Sequence, residues 1–97
     1  MRERDIEQYL VRRVKELGGE VRKVKWIGRR GAPDRVVMLP LPISVGGNRV
    51  GNLIWVELKA PGEVSEPHQH REHERMRAMG QRVEVLDSKE QVDEVLR

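Results

Sequence analysis

Between Asp5 and Leu17 the apolar residues Ile6, Leu10, Val14 and Leu17 recur at steps of four, four and three. That spacing lines one face of an amphipathic helix, and Gly18-Gly19 ends it. The period then changes. From Glu20 to Ile27, Val21, Val24 and Trp26 are interleaved with Arg22, Lys23 and Lys25, which predicts a strand with one basic, solvent-facing side. Gly28-Arg-Arg-Gly-Ala-Pro33 reads as a loop, and Asp34 to Leu39 as a short apolar strand closed by Pro40 and Pro42, because proline cannot donate to a ladder.

Gly46-Gly47-Asn48 and Gly51-Asn52 make residues 43–52 a hairpin-like connection. Leu53 to Lys59 is the most strand-like run of the chain, and Ala60-Pro61-Gly62 breaks it. Ser65 as N-cap with Pro67 in the first turn predicts a helix reaching about Met79, before Gly80. Arg82 to Leu86 is a further strand, and the capping box Ser88-Lys-Glu-Gln91 opens a last helix carrying Val92, Val95 and Leu96. The order is helix, three strands, helix, strand, helix, which predicts an α/β sheet flanked by helices.

Ninety-seven residues suffice for a single domain, residues 1–97, since a second core would need roughly 100 residues of its own. With 37% hydrophobic residues and only Tyr9, Trp26 and Trp55 as aromatics, the core is thin, and burial against a partner is expected. The absence of cysteine excludes disulfides and thiolate zinc sites. No apolar run approaches the roughly 20 residues that span a bilayer, and the polar start carries no signal-peptide pattern, so a soluble, cytosolic protein is expected.

The net charge of +3 hides an asymmetry. Residues 1–35 carry eleven Lys/Arg against six Asp/Glu (+5), and residues 36–97 carry eight against ten (−2). Fourteen of the nineteen cations are Arg, whose planar fork suits bidentate phosphate binding. The basic third therefore favours a polyanionic partner.

The chemistry concentrates at strand ends. Side chains alternate along a strand, so Glu57 and Lys59 share one face while Val56 and Leu58 take the other. If the hairpin pairs the two strands, Asp34 stands beside Glu57, and the two carboxylates offer hard oxygen ligands to a Mg²⁺ that keeps several waters. Such a metal lowers the pKa of a bound water and neutralises phosphate charge, with Lys59 placed to hold the nucleophile or stabilise the oxyanion. That is minimal equipment for phosphodiester hydrolysis. Pro-Asp is otherwise an ordinary turn dipeptide and Glu-x-Lys a common surface pair; it is their joint occurrence behind a Gly-Arg-Arg-Gly loop that is informative.

Gly31-Ala-Pro-Asp34-Arg35, then Val56-Glu57-Leu58-Lys59-Ala-Pro-Gly62, then Ser65, Gln69 and Gly80, resembles the VRR-NUC domain, a virus-type branch of the PD-(D/E)xK nuclease superfamily. The resemblance covers nearly the whole chain in the right order. It implies a restriction-endonuclease-like fold with a mixed central sheet and a Mg²⁺-dependent, structure-selective DNA endonuclease for which Mn²⁺ can substitute. Stand-alone members of this size resemble Holliday-junction resolvases that act as homodimers, and in larger proteins the domain serves DNA repair. The resemblance makes Asp34 and Glu57 metal ligands, aided by the Leu58 carbonyl, and Lys59 the catalytic lysine. It also implies a carboxylate on the first helix, either Glu3 or Glu7, and a helix glutamine, Gln69, near the nucleophile or a phosphate. It further points to a phage origin and a bacterial host cytoplasm.

Lys23, Lys25, Arg29, Arg30 and Arg35 surround the loop as candidate phosphate contacts. Trp26 is placed to cap the core or to stack on a base. His68, His70 and His73 share a helix, but none forms the i, i+4 pair that meets zinc well, and His73 is expected as a half-buried polar residue. Cleavage of flaps, forks or nicked duplex, and branched-DNA binding without catalysis, are the rival functions. A dimer interface could form on the first helix, the segment around 41–52, or the last helix.

Overall fold

The computed structural model describes residues 1–40, 44–45, 48–49 and 52–97. Helix α1 (Glu3–Glu16) begins two residues before the expected start, because the Asp5 carboxylate accepts from the Arg2 backbone N–H at 2.7 Å and caps the first turn. Ile6, Leu10 and Val14 are wholly buried, whereas Leu17 ends the helix and is exposed. The chain then turns hard against the sheet: a Cβ on Gly19 would lie 2.3 Å from the Met38 carbonyl oxygen, a position only glycine fills.

Strand β1 (Glu20–Lys23) pairs antiparallel with β2 (Arg35–Leu39). It ends earlier than Ile27, the expected limit, because after the bond from Val24 N–H to Asp34 O (2.9 Å) the chain folds back, with the Trp26 indole donating to Pro33 O at 2.7 Å. Between β2 and the next long strand, the short β3 (Ser44–Val45) and β4 (Asn48–Arg49) pair antiparallel as a separate sheet. The rest of the 41–51 connection, and with it that candidate interface, lies outside the described residues.

Strand β5 (Asn52–Leu58) is antiparallel to β2 and parallel to β6 (Val83–Leu86), which gives a mixed sheet in the order β1-β2-β5-β6. Helix α2 (Pro67–Ala78) has Glu66, not Ser65, as its N-cap. Proline at the first helical position disfavours helical geometry in the residue before it, and Glu66 is held extended at φ −66°, ψ 154°. Helix α3 (Lys89–Val95) keeps the Ser88 half of its expected box, Ser88 Oγ accepting from Gln91 N–H at 3.1 Å, while the Gln91 side chain reaches Asp87 N–H rather than that of Ser88.

Ile54, Val56 and Leu58 of β5 join Val37 and Leu86 in one core with Ile6, Leu10 and Val14 of α1 and Val92 of α3. Each such aliphatic side chain contributes about 1.5–3 kcal/mol on burial. The two helices are further clamped by Asp93, which accepts from Tyr9 OH at 2.7 Å and from Arg13 Nε at 3.1 Å. Alternation sends Trp55, Glu57, Val83 and Val85 to the opposite face, where α2 packs, burying Met76 and His73. Among the described residues no helix is long and apolar enough to cross a membrane.

Candidate active site

The register that pairs Arg35 with Val56 places Asp34, one step further, across from Glu57. Directly opposed residues hold their Cβ atoms about 4.5–5.5 Å apart. Glu57 is buried, and that burial, together with the Asp34 charge, pushes its pKa up to about 7, while Lys59 pulls it the other way. Glu3 adds a smaller repulsion, which sets the first turn of α1 toward the same end of the sheet. Both expected carboxylates thus meet, and the nearby charges of Lys59 and Arg35 offset their crowding only in part.

Asp34 is held asymmetrically. Its Oδ2 lies 3.1 Å from Arg35 Nη1, whereas its Oδ1 is shut off from solvent with no hydrogen-bond partner. An unpartnered buried acceptor is costly. Paired with a carboxylate that holds its proton up to about 7, it forms a donor set that fits a hard divalent cation. Among the described residues no group of three or more His, Cys, Asp or Glu side chains converges. Any such cation would therefore rest on these two carboxylates, a main-chain oxygen and water. Leu58 sends its side chain into the core and has only its backbone to offer.

Lys59 follows Leu58 at the end of β5, where its backbone N–H donates to Leu86 O at 2.9 Å. Its ammonium donates to Gln69 Oε1 at 2.8 Å, and the same oxygen accepts from Glu66 N–H at 2.8 Å. Gln69 therefore links the lysine to the capped first turn of α2. Its side-chain partner is the lysine itself.

The two candidate helix carboxylates face the same cavity, and only Glu7 is bonded to a cation among the described residues. Glu7 is bonded to Arg35, and Glu3, Arg4, Glu7 and Arg35 line one cavity beside α1. Arg35, expected among the phosphate-facing cations, is committed instead: its side chain is 13% exposed, and its fork serves Glu7 and Asp34. No pattern along the chain marks this pair, because it depends on how α1 is rotated over β2.

Lys23, Lys25 and Arg30 are exposed and form no ion pair among the described residues. Arg29 is exposed too, with Nε 3.5 Å from Glu72 Oε2. Trp26 is half-buried against Trp55, ring centroids 5.3 Å apart, so it packs on the sheet face beside α2 and is not presented to a base. His73 is fully buried rather than half-buried, which holds its pKa below the usual histidine value; its Nε2 has no partner.

No protein-family model matches the chain. Over 90 residues it is 47% identical to "Putative nuclease p44" of Acyrthosiphon pisum secondary endosymbiont phage 1, covering 93% of this chain and 87% of that protein. A solved structure described as a VRR_NUC domain superposes with a TM-score of 0.78 at 39% identity, covering 97% of this chain and 92% of the other.

Proposed function

The chain belongs to the VRR-NUC family of nuclease domains, and from that premise we propose that it is a divalent-cation-dependent endonuclease hydrolysing phosphodiesters of branched DNA. The observation that carries the reading is the opposed pair Asp34 and Glu57: a buried, unpartnered Oδ1 on one, a pKa near 7 on the other, and Lys59 on the same strand face. A site for binding alone has no use for two crowded acids beside a phosphate.

Asp34, Glu57 and the Leu58 carbonyl would hold Mg²⁺, or Mn²⁺ in its place. Bound there, the cation supplies charge neutralisation at the phosphate and an acidified water. The chain's own groups do the rest. Lys59, kept in place by Gln69, puts a fixed ammonium where negative charge grows on the phosphate oxygens. Arg35 occupies one Asp34 oxygen and leaves the other for ligation. Lys23, Lys25, Arg29 and Arg30 neutralise backbone phosphates on the approach to the site.

Among branched substrates a four-way junction is the reading we favour, on the resemblance to junction resolvases. Its symmetric cleavage needs two sites at fixed separation, which a homodimer supplies. The test is a panel of end-labelled junction, flap, fork and linear duplex with Mg²⁺ or EDTA. Paired, symmetry-related nicks on the junction, only with Mg²⁺, are expected. Preferential cutting of the flap would replace the junction by the flap as substrate, and binding without cutting would leave a DNA-binding module.

A further inference from the structure

Trp26 and Ile27 are chain neighbours with opposite fates. The Trp26 indole turns inward, bonded to Pro33 O and packed on Trp55, while Ile27 is 95% exposed. The loop that carries Ile27 is fixed at both ends. Beyond it, Gly31 sits at φ +86° so close to α2 that a Cβ would lie 2.8 Å from the His68 carbonyl oxygen. Between these anchors nothing lies within 4 Å of where a Cβ on Gly28 would stand, so the tip projects into open space. Lys25, Arg29 and Arg30, all exposed, flank it, and the loop leads directly into Asp34.

A lone exposed aliphatic side chain is ordinary on a protein surface. Ile27 differs in its setting, at the tip of a pinned loop, among cations suited to phosphate, beside the candidate active site. We propose that Ile27 is an apolar wedge that enters the interrupted base stack at a branch point, while Lys25, Arg29 and Arg30 hold the flanking phosphates; this rests on the branched-DNA reading above.

The selectivity follows from what each group meets. Cations grip the backbone of any duplex and carry no preference for a branch. Entry of a side chain into continuous duplex must first separate stacked bases, a cost that offsets the burial gained. At a junction the stack is already broken, so that cost is largely absent. Full burial of an isoleucine is then worth roughly tenfold to a hundredfold in affinity.

The test uses the full chain in EDTA with a four-way junction carrying 2-aminopurine at the branch point, and a linear duplex of equal length carrying it at the centre. Wild type is expected to bind the junction more tightly and to raise its fluorescence. Ile27→Ala should weaken junction binding about tenfold, abolish the fluorescence rise and leave duplex binding unchanged. Arg30→Ala should weaken both alike. An Ile27→Ala variant with wild-type junction affinity and fluorescence, or with equal losses on both DNAs, overturns the wedge; the nuclease reading survives that result if wild type still cuts branched DNA once Mg²⁺ is restored. A wild type that binds neither DNA and cuts nothing removes both.

Discussion

Arg35 is bonded to Glu7 across the interface of α1 and β2: its Nε donates to Glu7 Oε2 at 2.6 Å, and its Nη2 reaches the same oxygen. The remaining Nη1 donates to the Asp34 main-chain carbonyl at 3.2 Å and lies 3.1 Å from its carboxylate. A helix is thereby tied to the residue that opens the candidate metal site, and the geometry of the tie depends on the guanidinium fork.

Arg35→Lys keeps the charge and loses the fork. Cleavage should fall about tenfold, because a misplaced ligand weakens positioning at the reacting centre. Arg35→Met leaves Glu7 uncompensated and should cost about 1–3 kcal/mol, less than a fully buried pair would, since Glu7 keeps some contact with water. Urea midpoints and single-turnover rates separate the two effects. A wild-type rate in the lysine variant would show that charge alone suffices.

Cation binding should stabilise the fold without DNA present. At a free concentration one hundred times the dissociation constant the gain is about 2.7 kcal/mol, visible as a rise in melting temperature with Mn²⁺. Asp34→Asn and Glu57→Gln should each remove most of that rise. An undiminished shift in both variants would place the cation elsewhere.

Gln69→Leu releases the Lys59 ammonium and the Glu66 N–H together. The lost cap should cost about 0.5–2 kcal/mol, while kcat drops about tenfold and KM for DNA stays within about twofold, because the lysine acts on charge that appears only in the transition state. A change confined to KM would make Gln69 a DNA contact instead.

Asp93 supplies a pH-dependent clamp between α1 and α3. The Tyr9 hydroxyl, with help from Arg13, holds its carboxyl below the usual aspartate range. A depressed folded pKa gives stability that is present above the unfolded value and is lost as the pH falls through the folded one. Asp93→Asn should therefore lower the urea midpoint at pH 7, and the gap to wild type should close as the pH falls below the usual aspartate range. A gap that stays constant with pH would mean the clamp does not depend on the charge.

Much of this was legible in the chain because it rests on local periodicity. Period two put Glu57 and Lys59 on one face and Val56 and Leu58 on the other, and the structure keeps that division. Steps of three and four marked Ile6, Leu10 and Val14 as the buried stripe of α1. What escaped notice depends on contacts between distant elements. Arg35 looked like a free cation until α1 delivered Glu7 to it, and the choice for Trp26 between capping the core and stacking on a base was decided only by the loop that folds it onto Trp55. Ser65 gave way to Glu66 for a local reason, the conformation that Pro67 imposes on the residue before it.

The central claim, that Asp34, Glu57 and Lys59 form a cation-dependent cutting site, is tested most directly by junction cleavage with wild type, Asp34→Asn and Lys59→Ala, each shown to be folded by its melting curve. Wild type should cut with Mg²⁺ or Mn²⁺ and not in EDTA, and each variant should lose about a hundredfold or more in rate while still binding DNA. Cutting by folded Asp34→Asn at the wild-type rate would contradict the claim.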